Sequence, residues 1–443
     1  MFVEPNFYFR RHERRHEKDA VSPSTPATPV SATPRRAPDV VGRRILPLLG
    51  PAMVAGVAYL DPGNVASNMT AGALFGYLLV WVVLLANTMA WLIQYLSAKL
   101  GIVTGKSLPE LLGERMKRPW ARRAYWAQAE LVAMATDLAE VIGGAIALNL
   151  LFGLPLLWGG VITGAVSLVV LAISQRRGAR AFERVITSFL AIIVVGFCFS
   201  IVVSPPDVAA TLAGVVPRFE GTSSVLLAAS ILGATIMPHA IYAHSALSRD
   251  RFGLVRAGAR RRLVLRATRV DVTIALAIAG TVNLVMLLVA ASTLQGVAGT
   301  DTLQGAHDAI GDAIGPVAAT LFAIGLLASG LASSSVGAYA GSEIMGGLLR
   351  IRVPLLWRRV ITLIPALLVL GSGIDPTWAL VLSQVLLSFG IPFALIPLVA
   401  LTAKREVMGD DVNRRFTTVL AVAAAVFLVV LNVALIALTV TGA

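Results

Sequence analysis

From Ile45 to Val440 the chain alternates between apolar runs of about 20 residues and short polar connections, and about 20 residues is the length a helix needs to cross a bilayer. A backbone in hydrocarbon has no water to bond, so such runs must be helical. Eleven spans can be traced: about Ile45–Leu74, Tyr77–Leu100, Tyr125–Leu151, Leu154–Ile173, Val185–Val203, Ser224–Leu247, Val270–Ala291, Pro316–Met345, Pro354–Leu370, Pro376–Leu401 and Phe416–Val440. The expected fold is an all-α integral membrane protein with a single transmembrane domain over residues 45–443. Composition agrees, with 57% hydrophobic and 14% charged residues, where a soluble chain carries about a quarter charged.

The formal charge of +13 raises the question of nucleic acid, and its distribution argues against one. Of the 37 Lys and Arg, all but Lys99 and Arg218 fall in six blocks, over residues 1–44, 104–123, 174–184, 248–269, 350–359 and 404–415. These blocks alternate with connections nearly free of Lys and Arg. That is the positive-inside pattern, so the charge reports topology. It puts the N-terminus in the cytoplasm and the short C-terminus outside, in a multi-pass protein of the cell (inner or plasma) membrane. Residues 1–44, rich in Pro, Ser, Thr and Arg, read as a disordered basic cytoplasmic tail. No apolar core follows its early charges, so no signal peptide is expected. Cys198, the one cysteine, excludes an intrachain disulfide and a Cys-based metal centre, and reads as a small buried hydrophobe. No cofactor, nucleic acid or obligate protein partner is expected; the lipid bilayer is the surrounding solvent.

Two spans are interrupted. In the first, Asp61-Pro62-Gly63-Asn64 stands between apolar flanks. Pro62 lacks an N–H and disfavours helix in the residue before it, and Gly63 tolerates unusual dihedrals. In the sixth, Gly233-Ala234-Thr235-Ile236-Met237-Pro238-His239 does the same. A carboxylate, an amide and freed carbonyls in hydrocarbon are tolerated where they line a cavity or bind something. Interruptions five spans apart suggest two repeats, about 45–204 and 224–401, with a midplane site between them and an extra span over 416–440.

Other polar residues need a reason to be in these runs. Glu130, Asp137 and Glu140 recur on nearly one face of the third span. Three readings stand open for them: a proton route, pairing with arginines, or support of the site. No basic residue falls in the core of a span to neutralise all three. Arg358 and Arg359 open the ninth span, where orientation and lipid contact are the ordinary reading and receiving a proton route from the third-span acids is the alternative. His239 follows the sixth-span break and His244 lies five residues on; a histidine titrating near neutrality suits proton handling or site support. Met237 is a soft ligand that favours transition metals over Mg²⁺ and Ca²⁺, or a packing residue. Gln384, Asn87 and Gln94 suit interhelical hydrogen bonds. The GxxxG pairs Gly72/Gly76 and Gly337/Gly341 suit close helix packing.

Asp61-Pro62-Gly63-Asn64 with Met237-Pro238-His239, and the stretch AELVAMATDLAE over 129–140, resemble the Nramp divalent metal transporters over about residues 45–440. The resemblance implies a LeuT-like 5+5 inverted repeat with broken helices 1 and 6, and proton-coupled import of Mn²⁺ or Fe²⁺ by alternating access. It implies metal contacts from Asp61, Asn64, Met237 and the carbonyls of Ala58 and Ala234, with Gln384 joining in the occluded site. It implies proton movement through Asp61, His239, Glu130, Asp137 and Glu140, with Arg358 and Arg359 near the inner exit. The alternatives are a cation-coupled amino-acid carrier on the same fold, a passive metal channel, and an intramembrane metalloprotease. The last lacks HExxH spacing, since no Glu separates His239 and His244, so the chain reads as a non-enzyme.

Overall fold

Proline has no N–H to lose at a helix start and a φ already suited to one, and six helices among the described residues begin on it. The computed structural model describes residues 45–177, 179–351 and 353–441; the expected tail over 1–44 lies outside the described residues. In chain order the helices are α1 (Pro51–Val57), α2 (Pro62–Phe75), α3 (Val80–Thr104), α4 (Leu108–Arg115), α5 (Pro119–Phe152), α6 (Leu156–Arg177), α7 (Ala179–Val203), α8 (Val208–Ala213), α9 (Gly221–Thr235), α10 (Pro238–Phe252), α11 (Ala259–Thr293), α12 (Leu303–Ala313), α13 (Pro316–Leu349), α14 (Leu355–Gly371), α15 (Pro376–Thr402), α16 (Arg405–Met408) and α17 (Arg415–Thr441). Among the described residues every regular element is helical, as the apolar runs require.

Eight helical stretches are long and apolar enough to cross a membrane, with α9 and α10 counted as one. The broken pair α1–α2, together with α6 and α14, accounts for the other three spans of the sequence. Some helices outrun the apolar stretch that announces them. α5 starts at Pro119 rather than near Tyr125, and α11 at Ala259 rather than Val270. The first turns of α11 read ARRRLVLRATR, good helix formers too polar for a hydropathy reading to include.

Burial ranks the spans. In the apolar window of Gly221–Phe252, 94% of the residues are buried, against 39% in α17, so the broken sixth span is central and the last span peripheral. Around it α2 packs on α11, α9 on α15, α10 on α3, and α5 on α13. Gly72 lets α2 approach α11, since a Cβ there would stand 2.6 Å from the Ala290 methyl; its GxxxG reading as close packing fits. Cys198 is half-buried rather than buried, because α7 lies toward the outside of the bundle.

The first turn of α1 has no cap of its own. Asp271 of α11 supplies one, accepting from the backbone N–H of Gly50 at 3.1 Å and of Ala52 at 2.9 Å. A carboxylate at a helix N-terminus satisfies orphan donors and meets the positive end of the helix dipole. This anchors a short half-helix that could not hold its own ends.

Candidate metal site

At the first interruption a 3-10 turn over Ala58–Leu60 leads into Asp61, whose backbone is extended (φ −69°, ψ 163°). Asp61 caps α2: Oδ1 accepts from the Asn64 backbone N–H at 2.8 Å. Pro62 then starts the helix. The same chemistry shapes the second interruption. α9 stops at Thr235, Met237 is extended (φ −60°, ψ 123°), and Pro238 opens α10.

Unwinding frees carbonyls, and the surrounding side chains take most of them up. Asn64 Nδ2 donates to Tyr59 O at 2.6 Å and reaches Ala234 O across the two breaks at 3.5 Å. Asn283 of α11 also donates to Tyr59 O, at 3.1 Å. The Ser329 hydroxyl of α13 donates to Leu60 O. Ser67 and Ser230 join α2 to α9 at 2.6 Å. The two breaks are therefore bound to each other, and helices from both halves of the chain hold them open.

The tenth span closes the site. Gln384 Nε2 donates to Asp61 Oδ2 at 3.2 Å. The approach is possible because two glycines face this residue. A Cβ on Gly63 would lie 2.8 Å from Gln384 Cγ, and one on Gly233 would lie 2.9 Å from the Gln384 carbonyl carbon. Asp61, Asn64, Met237 and Gln384 each have no solvent exposure, so the site is occluded from both sides.

Several oxygens here are buried with no protein donor: Gln384 Oε1, Asn283 Oδ1, Asn68 Oδ1 and Thr235 Oγ1. Such groups are costly in a protein interior. Unpartnered oxygens on the residues around a buried carboxylate suit a cation. Among the described residues no three His, Cys, Asp or Glu side chains cluster in a metal-binding arrangement. A cation at the breaks would thus meet one anionic group, neutral oxygens and sulfur. Ala58 stands on the 3-10 turn three residues before Asp61, and Ala234 and Met237 flank the second interruption.

Of the three readings open for the third-span acids, the structure shows pairing with arginines, two cations against three carboxylates. What it corrects is the ordinary reading of Arg358 and Arg359 as lipid-facing. Arg358 and Arg359 are buried, at 6% and 2% exposure. Arg358 meets Glu130 at 2.7 Å. Arg359 meets Asp137 at 2.7 Å and Glu140 at 3.4 Å, and donates to Ser334 at 2.8 Å and Ser167 at 3.1 Å. Both arginines begin a helix at the end of a basic block, but α14 packs on α5 and α6, and their long side chains turn into the bundle instead of toward lipid. Room for them comes from α13: a Cβ on Gly341 would strike the Arg358 guanidinium, and one on Gly337 would lie 3.0 Å from Glu140 Oε1. This GxxxG pair makes space for charge as well as for a helix. His239 Nδ1 shares a 3.2 Å hydrogen bond with Thr136, next to Asp137, and so links the second break to the acids. His244 pairs with Gln94 at 2.7 Å, which accounts for both as interhelical support.

Sequence reasoning passed over Tyr59, Asn283 and Ser329, which bind the first break. Asn68, one turn beyond Asn64 and donating to Asn64 Oδ1 at 2.6 Å, was recoverable from its spacing. Asn283→Leu is expected to remove the second of two donors to the Tyr59 carbonyl, which keeps Asn64, costing about 0.5–1.5 kcal/mol, the net worth of one hydrogen bond. A thermal transition in detergent that does not move would show the break needs no support from α11.

Comparison with known proteins gives a family. The profile "Natural resistance-associated macrophage protein-like" (Nramp) matches residues 52–438. A Mycobacterium tuberculosis "Divalent metal cation transporter MntH" is 62% identical over 395 residues, covering 89% of this chain and 92% of that one. A solved Eremococcus coleocola manganese transporter is 32% identical with a TM-score of 0.78, over 88% of this chain and 85% of that one. A more distant match in fold alone is Mhp1, a nucleobase-cation-symport-1 family transporter, at 14% identity and a TM-score of 0.52, over 79% of this chain and 77% of that one.

Proposed function

The chain belongs to the Nramp family, and from that premise we propose that it is a secondary transporter importing divalent transition metals, Mn²⁺ and also Fe²⁺, coupled to proton movement. It is a membrane transporter and not an enzyme. The reading places the N-terminus in the cytoplasm and the chain in the cell's inner or plasma membrane; the distribution of the basic blocks supports the orientation. The observation that carries the reading is the meeting of the two proline breaks, where Asn64 reaches the Ala234 carbonyl and Gln384 reaches Asp61, all of them buried.

In this reading the metal takes Asp61, Asn64, Met237, Gln384 and the carbonyls of Ala58 and Ala234 as ligands. The Gln384 amide turns, exchanging the N–H that faces Asp61 for Oε1. Residues of about 45–204 and 224–401 act as two repeats that rock around the fixed site. Protons move by way of Asp61, His239, Asp137, Glu140 and Glu130, with Arg358 and Arg359 balancing the acids along the route. An amino-acid carrier on this fold would need room that Gln384, packed against Gly63 and Gly233, does not leave.

Met237 sets selectivity by what it withholds. Mg²⁺ and Ca²⁺ want a full shell of hard oxygens, and a thioether replaces one of them. Met237→Ala is expected to admit Ca²⁺ or Mg²⁺ about tenfold better as competitors while Mn²⁺ uptake falls less. Unchanged competition profiles would return Met237 to packing. The function itself is tested with purified protein in proteoliposomes, following Mn²⁺ entry against Ca²⁺ and Mg²⁺ while an internal dye reports pH. Entry resistant to both competitors, with acidification of the lumen, is the expected result. Entry without acidification would remove the proton coupling and leave the metal transport.

A further inference from the structure

Lys99 is one of the two cations outside the six basic blocks, and its surroundings set it apart. It lies near the end of α3 at 8% exposure. Its one hydrogen bond among the described residues is to a neutral acceptor, Asn413 Oδ1, at 3.0 Å, although an ammonium has three donors. Lys99 lines a cavity of about 350 Å³ between α3, α11 and the segment leading into α17. Arg269 and Arg414 line the same cavity. Arg269 sits over the Tyr95 ring at 5.0 Å and donates to the Tyr95 hydroxyl at 3.3 Å. Among the described residues none of these three cations forms an ion pair. The two carboxylates on the cavity wall are already engaged, Asp411 with Arg261 at 2.6 Å and Asp410 with Arg405 at 3.5 Å. The cavity wall thus carries three cations against two engaged carboxylates, and its buried ammonium has donors to spare for an anion.

The helix faces leading away from the cavity say which anion. One turn from Tyr95, Trp91 stacks on it at 6.3 Å and donates its indole N–H to Thr273 at 2.9 Å. Farther along, Ile274 of α11 and Leu420 of α17 are 42% and 43% exposed. A polar, basic mouth followed by an aromatic girdle and bare apolar helix is the sequence of environments from headgroup to hydrocarbon. A free phosphate would use only the first of these.

We propose that this cavity seats the phosphate of an anionic phospholipid, gripped by Lys99, Arg269 and Arg414, with its acyl chains along the exposed faces of α11 and α17. The orientation given above makes it a lipid of the cytoplasmic leaflet; the ligand's chemistry rests neither on that orientation nor on the transported ion. Native mass spectrometry of the delipidated full chain, titrated with phosphatidylglycerol and phosphatidylcholine of equal acyl length, tests it. Preferential retention of one phosphatidylglycerol is expected. Arg269→Gln and Arg414→Gln, at exposed positions, should each weaken it about fivefold, the effect of one cation near an anionic headgroup. Arg218→Gln, the other outlying cation, should leave it unchanged. Lys99→Gln, checked for an intact thermal transition, should weaken it at least as much. Equal retention of the two lipids, or retention indifferent to the cavity variants, would overturn the proposal. Displacement of phosphatidylglycerol by inorganic phosphate at equal concentration would also overturn it, by assigning the cavity to a soluble anion.

Discussion

Asp61→Ala is expected to abolish metal uptake, lowering it at least about a hundredfold. Asp61 is the carboxylate at the two breaks, fully buried, with one oxygen capping α2 and the other facing Gln384. A dication stripped of water in this closed space needs an anion, and the surrounding amides, carbonyls and sulfur offer only dipoles. Removing the charged partner of a buried, desolvated pair costs about 2–5 kcal/mol or more. The cap is the lesser loss, about 1 kcal/mol, and small enough for the fold to survive. Asp61→Asn separates the two roles, since asparagine also caps helices but carries no charge. Both variants are read by radiolabelled Mn²⁺ uptake in proteoliposomes, alongside a thermal transition to establish folding. Uptake above a tenth of wild type in folded Asp61→Ala would remove this residue from the site.

Arg359→Met should have the largest effect on stability. The guanidinium is 2% exposed and serves Asp137, Glu140, Ser167 and Ser334 together. Methionine fills similar space and leaves two buried carboxylates facing each other without a counter-ion. Breaking a buried pair in this way costs about 3–5 kcal/mol, enough to lower the yield of monodisperse protein and the thermal transition in detergent. Lysine is a poor replacement, because a point charge lacks the planar fork that spans several acceptors. Asp137→Asn added to Arg359→Met should recover part of the loss, and a double-mutant cycle isolates their coupling. If the effects simply add, the 2.7 Å pair is not an energetic unit.

How much of this was visible in the sequence depends on the range of the interaction. Both breaks were legible because their cause is local: Asp61 precedes Pro62, Met237 precedes Pro238, and proline acts on its nearest neighbours. The spans were legible because hydrocarbon accepts few other patterns. Gln384 stood out as an amide in an apolar span, but its place at the site came only with the family resemblance, since nothing near it in the sequence says that it faces Asp61. The lipid-facing reading of Arg358 and Arg359 failed for a related reason. Their block is basic and their helix begins at the membrane edge, which describes residues bound for the headgroups. Their partners on α5 lie more than two hundred residues away, and only the packing of α14 on α5 turns the side chains inward. Asn283 and Ser329 were missed because a single amide or hydroxyl in an apolar helix carries no mark of the backbone carbonyl it serves.

The sparse charge at the proposed site has a kinetic consequence. Proteins that store divalent cations surround them with several carboxylates, and affinity rises with that number. Here a single carboxylate would leave the loaded site with net positive charge in a poorly screening interior. Such a site holds its cargo briefly. High affinity for one ion means slow departure, and slow departure on the inner side would stall each cycle before the next. On the proposed ligand set, one anion paired with ligands that cost little to leave would trade tight capture for throughput. An engineered second carboxylate at the breaks should therefore raise metal binding at equilibrium while lowering the number of ions carried per second.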